Sequence, residues 1–170
     1  AGIMLQIVFA MINFSGELMS FSMGLTMASA YDPISGSQRP IVGQLLSVLA
    51  LLVALNLDFH HVILQLVAHS LDSVPLGSFI FGDNGVGYYV KALSNFFVVG
   101  FSMAFPILAI ILFSDIIFGM IMKTHPQFNL LAIGFPIKIA IAFVVLIIVL
   151  PSIYVHFKRE IEEALFAIGK

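Results

Sequence analysis

The chain lacks cysteine and tryptophan altogether, and only 9% of its 170 residues are charged. Without cysteine there is no disulfide, thiolate metal site or thiol nucleophile. Without tryptophan, any aromatic belt at a membrane interface rests on four Tyr and 17 Phe. A soluble domain carries about 25% charged residues. Here 61% of residues are hydrophobic and the mean hydropathy is +1.12, which places the chain in a bilayer or a strongly apolar assembly. A net charge of −2 with no basic cluster gives no field for nucleic acid. No charged segment precedes the opening apolar run at Ala1, so that run does not read as a signal peptide. Further chain is expected upstream.

The fold class expected is all-α, a polytopic membrane-type helical protein with kinked helices and helical hairpins. Ile3 to Ala30 is long enough to cross about 30 Å of hydrocarbon. Ile41 to Leu57 forms a second apolar run, ended by Asp58. Phe59 to Val74 follows the i, i+3, i+4, i+7 rule of an amphipathic helix, with His61, Gln65, His69 and Asp72 on its polar side. Gly82 to Gly87 reads as a turn, with Tyr88 and Tyr89 as interface anchors. Ala92 to Met122 and Phe128 to Pro151 form an antiparallel hairpin around Lys123 to Gln127. Pro106, Pro136 and Pro151, with Gly100, Gly119 and Gly134, predict irregular backbone there. The tail from Lys158 to Lys170 reads as a solvated helical end. No second, soluble domain is visible.

Three charges stand inside apolar runs: Glu17, Asp115 and Lys138. A lone charge at the centre of a membrane helix costs about 2.5–3.5 kcal/mol on insertion scales, so each needs a partner, water or an interface. Asp115 and Lys138 lie at matching depths on the two arms of the hairpin and form the first pair to test. Taken alone, Lys138 reads first as snorkelling to one interface, with an ion pair to Asp115 or Glu17 inside a bundle as the alternative.

Enzymatic chemistry finds no support. The serines are scattered, none in G-x-S-x-G, and the glycine-rich turn lacks the Lys-Ser/Thr of a phosphate loop. The five histidines predict no metal site: His61 and His69 stand about 12 Å apart along a helix, and His60 and His61 diverge by about 100°. No cofactor is implied.

The most informative stretch is Ser15 to Pro40. Gly16, Ser20, Gly24 and Ala28 recur every four residues, a small-residue seam that lets a neighbouring helix come close. Met19, Met23 and Met27 run beside it as a soft, polarizable face. Pro33 disfavours helix at Asp32, so the helix is expected to stop at Tyr31. A loop bracketed by Pro33 and Pro40 follows.

At this point a resemblance enters. Gly16-Glu17, Met23-Gly24-Leu25, Asp32-Pro33, Pro40, Leu45-Leu46, Val74-Pro75-Leu76-Gly77, and above all Asn129 with Ile133-Gly134-Phe135-Pro136-Ile137-Lys138-Ile139 resemble the FliR family of flagellar export-gate proteins. The blocks fall in the family's order. Injectisome relatives usually carry an Asn-Gln-Arg-Gly-type block where this chain has Phe21-Ser22-Met23-Gly24, which favours the flagellar branch. Family members also have hydrophobic helices before the position of Ala1.

The resemblance implies a membrane subunit that joins FliP and FliQ, with FlhB associated, around a pore in the inner membrane at the flagellar basal body. Unfolded flagellar proteins pass through that pore. It further implies a FliP-like part over residues 1–90, a FliQ-like hairpin over 91–157 and a polar tail over 158–170. A plug loop at about residues 25–40 would include Met27, Ala30, Tyr31, Asp32 and Pro33, beside the gasket of Met19 and Met23. Rival readings are the equivalent injectisome subunit, an ion-coupled secondary transporter using Glu17, Asp115 and Lys138, and a passive scaffold.

Overall fold

The computed structural model describes residues 2–25, 41–73, 83–125 and 130–168. They form α1 (Gly2–Met23), α2 (Ile41–Asn56), α3 (Phe59–Ser73), α4 (Asp83–Thr124), a π-helical turn (Leu130–Gly134) and α5 (Phe135–Ile168). Among the described residues there is no strand, so the all-α, membrane-type expectation holds. Two helices, within Val90–Thr124 and Ala132–Ala164, are long and apolar enough to cross a membrane. The α2–α3 pair would make a third span, but it is bent by 67°.

Helix α1 is the hub. It packs against α2, α4 and α5, and Val8, Met11, Ile12, Ser15, Met19, Ser20 and Met23 are all buried. Glycine makes two of these contacts possible. A Cβ on Gly16 would come within 2.6 Å of Gly43 Cα, so α1 and α2 meet backbone to backbone. A Cβ on Gly100 would reach 2.8 Å from the Phe14 ring and 3.2 Å from the Met11 carbonyl, which sets how closely α4 approaches. Asn13 and Ser47 bond across the α1–α2 contact, giving the pair an antiparallel register.

Four boundaries differ from the sequence expectation. Helix α1 stops at Met23, not Tyr31, because Gly24 takes a left-handed conformation (φ 79°) and donates its N–H to the Phe21 carbonyl at 3.0 Å. A glycine at the first residue past a helix ends it at little steric cost. The turn expected at residues 82–87 is instead the start of α4, helical from Asp83. Asp and Asn suit a helix N-terminus, and the glycines fall in its weakly constrained first turn. Helix α4 continues through Pro106, and α5 through Pro151, without ending. Of the sites where irregular backbone is expected, Gly134 and Pro136 show it: a π turn at Leu130–Gly134 stands just ahead of Pro136 in the first turn of α5, where a missing N–H is tolerated.

The C-terminal segment is also not simply solvated. Helix α5 runs on to Ile168, and Phe157, Glu160, Ile161 and Ala164 are buried. Its other side carries the exposed pairs Lys158–Glu162 and Arg159–Glu163, at 3.7 and 3.6 Å.

Candidate functional site

The α4–α5 hairpin is closed by two polar clasps. Near its turn, Lys138 Nζ donates to both Asp115 oxygens, at 2.7 and 2.9 Å. At its open end, Asn95 Nδ2 donates to Glu160 Oε2 at 3.0 Å, and Arg159 Nη2 lies 3.8 Å from the other oxygen. From Asn95 to Asp115, and from Lys138 to Glu160, each arm covers roughly 30 Å of helix at 1.5 Å per residue. No charged residue stands between the clasps until His156, Lys158 and Arg159 near Glu160. That distance is comparable to the hydrocarbon thickness of a bilayer, and exposed apolar side chains continue past the Asp115–Lys138 clasp, with Ile116, Ile117 and Met120 on one arm and Ile133 and Ile137 on the other.

Of the three charges that stand inside apolar runs, two are exposed. Asp115 is exposed, with 51% of its side chain accessible, while Lys138 is covered to 12%. Glu17 is exposed as well. Asp115 and Lys138 do meet, each supplying the partner that a charge within an apolar run needs. Glu17 lies elsewhere, in a polar notch of about 400 Å³ with Asn13, Gln44, Ser47 and Phe96. Phe96 and Asp115 stand roughly 28 Å apart along α4. Glu17 thus belongs to no path shared with the other two charges.

The small-residue seam divides. Gly16 and Ser20 are buried at helix contacts, whereas Gly24 ends the helix. Met19 and Met23 are fully buried in this chain's own core, so they present no free compliant face. The i, i+4 methionine spacing shows a shared face but not what covers it. Met27, Ala28, Ala30, Tyr31, Asp32 and Pro33 lie outside the described residues. So do the side chains of His69, Asp72, Tyr88 and Tyr89.

A second groove, of about 540 Å³, opens where α1, α4 and α5 converge, lined by Val8, Met11, Lys91, Asn95, Glu160 and Glu163. The role of Asn95 escaped sequence reasoning. The only signal was an amide at the head of the apolar run that begins at Ala92. The histidines also depart from expectation. The rings of His60 and His61, assumed to diverge, lie 4.1 Å apart, and His61 Nδ1 is 3.7 Å from Asp58 Oδ1. Exposed rings swing through two torsions, so a divergence of the backbone vectors does not keep them apart.

Outside the core the hairpin presents large apolar side chains, including Phe101, Phe105, Leu112, Ile116, Val144 and Ile148, all exposed in the isolated chain. Such a continuous surface needs lipid or protein over it.

Comparison with known proteins agrees with this architecture. The model of the family described as "Bacterial export proteins, family 1" matches residues 1–164. The chain is similar to the flagellar biosynthetic protein FliR of Bacillus subtilis (31% identical, covering 91% of this chain and 61% of the relative). It is similar also to those of Pectobacterium carotovorum (30%, covering 89% and 58%) and Escherichia coli K12 (27%, with the same shares). The chain spans about three-fifths of the length of these relatives. On the family match across nearly its whole length, the chain belongs to the bacterial export proteins, family 1.

Proposed function

We propose that this chain is a non-enzymatic subunit of the flagellar type III protein-export gate in the bacterial inner membrane. In this reading it joins FliP and FliQ, with FlhB nearby, to form the pore for unfolded flagellar proteins. The observation that carries it is the family match together with the wide apolar surface of α4 and α5. A chain with that much apolar area outside its own core is built for assembly within a membrane complex.

The plug is assigned to the segment after Gly24, residues 25–40, with Met27, Ala30, Tyr31, Asp32 and Pro33 in it. The end of α1 at Met23, with Gly24 in a left-handed conformation, supports this by breaking the helix just before that segment. Met19 and Met23 serve in this reading as the buried footing of the plug, not as its gasket. Their polarizable side chains fill the core below it while tolerating small shifts.

Deleting Ile34 to Gln38 tests the plug. In cells with the gate assembled, the deletion is expected to raise ion leak across the membrane. Unchanged leak with the assembly intact rejects the role. The transporter reading is weakened by the separation of Glu17 from Asp115 and by the pairing of Asp115 with Lys138. Purification separates the two: a gate subunit comes down with several copies of other chains, a transporter alone or as a symmetric dimer.

A further inference from the structure

At the corner between α2 and α3 the backbone turns through Asp58, the only non-glycine residue with positive φ (52°) among the described residues. Its N–H is bonded to the Leu55 carbonyl at 3.1 Å, and its own carbonyl accepts the N–H groups of His61 and Val62, at 2.9 and 3.3 Å. Phe59 is buried beside it, its ring centroid 6.2 Å from that of Phe9. The corner is therefore held from both sides: by backbone bonds and by an aromatic anchor in the core.

On this fixed corner three side chains face outward together. Asp58, His60 and His61 are all exposed, and their donor atoms lie within 4.8 Å of one another. The two imidazole rings lie 4.1 Å apart, centroid to centroid, with their planes tilted by 47°. Apart from the 3.7 Å contact between Asp58 and His61, no hydrogen bond or ion pair to the rest of the described chain occupies these groups.

We propose that Asp58, His60 and His61 form a surface site for a borderline divalent transition-metal ion of the Zn²⁺ type. Two neutral imidazoles and one carboxylate are a donor set that suits Zn²⁺, with the remaining position open to water or to a group from a neighbouring chain. Zn–N bonds of about 2.0–2.1 Å need donors roughly 3.3 Å apart in a tetrahedron. Closing from 4.8 Å to that spacing takes side-chain rotation alone, which exposed residues allow. Ca²⁺ and Mg²⁺ prefer sets made wholly of oxygen and are not expected to bind. A bound ion would tie the first turn of α3 to Asp58 in the corner that precedes it and so stiffen the 67° bend.

The test is calorimetric titration of the full chain, stripped with chelator and held in detergent micelles, with ZnCl₂ and in parallel with MgCl₂. One Zn²⁺ per chain and no Mg²⁺ binding are expected. The His60→Ala and His61→Ala variants should each weaken Zn²⁺ binding at least about 10-fold, as expected for a lost ligand. Asp58→Asn gives the same loss with the corner intact, because Asn tolerates the left-handed conformation. His125→Ala and His156→Ala serve as controls that leave binding unchanged, with helical content checked by circular dichroism for every variant. No Zn²⁺ uptake by the unaltered chain overturns the proposal. So does binding that survives within two-fold in folded Asp58→Asn or in the His60→Ala/His61→Ala double variant.

Discussion

Replacing Gly16 by Ala separates two effects that act in opposite directions. In a helix interior Ala is favoured over Gly by about 0.8–1.0 kcal/mol, so local propensity alone predicts stabilisation. The structure predicts the reverse. The added methyl would stand 2.6 Å from Gly43 Cα and 3.1 Å from Gly43 N, against an optimal carbon–carbon separation of about 3.5–4.0 Å. The obstacle is backbone, which no rotamer change can move aside, so α1 and α2 must part by about 1 Å. A gap of that size forfeits a quarter to a half of each dispersion contact across the interface. Leu46, whose Cδ1 would lie 3.4 Å from the added methyl and which is buried, shares in the loss. Overpacking of this kind costs about 1–3 kcal/mol. Set against the propensity gain, the net expectation is a destabilisation of up to about 2 kcal/mol. Gly119→Ala is the internal comparison, because nothing lies within 4 Å of a Cβ at that position. That variant should be neutral or slightly stabilised by propensity. Unfolding of both variants by denaturing detergent, followed by circular dichroism in micelles, measures the difference. A Gly16→Ala protein as stable as Gly119→Ala would refute the close approach of the two helices.

Two further outcomes follow from the polar groups. Asp115→Asn strips the largely covered Lys138 of its charged acceptor and is expected to cost about 1–3 kcal/mol. Lys138→Met added to it should recover much of that loss, and a double-mutant cycle on unfolding showing strictly additive effects would deny the pair any coupling. Ser20→Ala removes a buried hydroxyl that has no hydrogen-bond partner among the described residues. It should leave thermal stability unchanged or raise it by up to about 1 kcal/mol, since an unpaired buried hydroxyl is unfavourable to begin with. A marked drop would mean that this hydroxyl is bonded after all.

The small-residue signal at Gly16 was legible because a four-residue period on a helix defines one face wherever the helix packs. The same rule misplaced Gly24. Position in a repeat cannot tell a contact glycine from one whose positive φ ends the helix. Likewise the methionine period established that Met19 and Met23 share a face, and only the packing of α2, α4 and α5 around α1 showed that this face is sealed. Depth matching across a short turn singled out Asp115 and Lys138 as the pair to test against simple snorkelling, and only the structure joined them.

Composition and periodicity determined the class of this protein. An almost uncharged, apolar chain must hold its backbone hydrogen bonds within helices, and its hairpin follows from two long apolar runs joined by a short polar turn. Which helix became the hub, which charges met and which stayed exposed, and which rings met at the α2–α3 corner were decided in three dimensions. Those outcomes depend on contacts between residues far apart in the chain, and no local pattern encodes the distance at which two distant backbones come to rest.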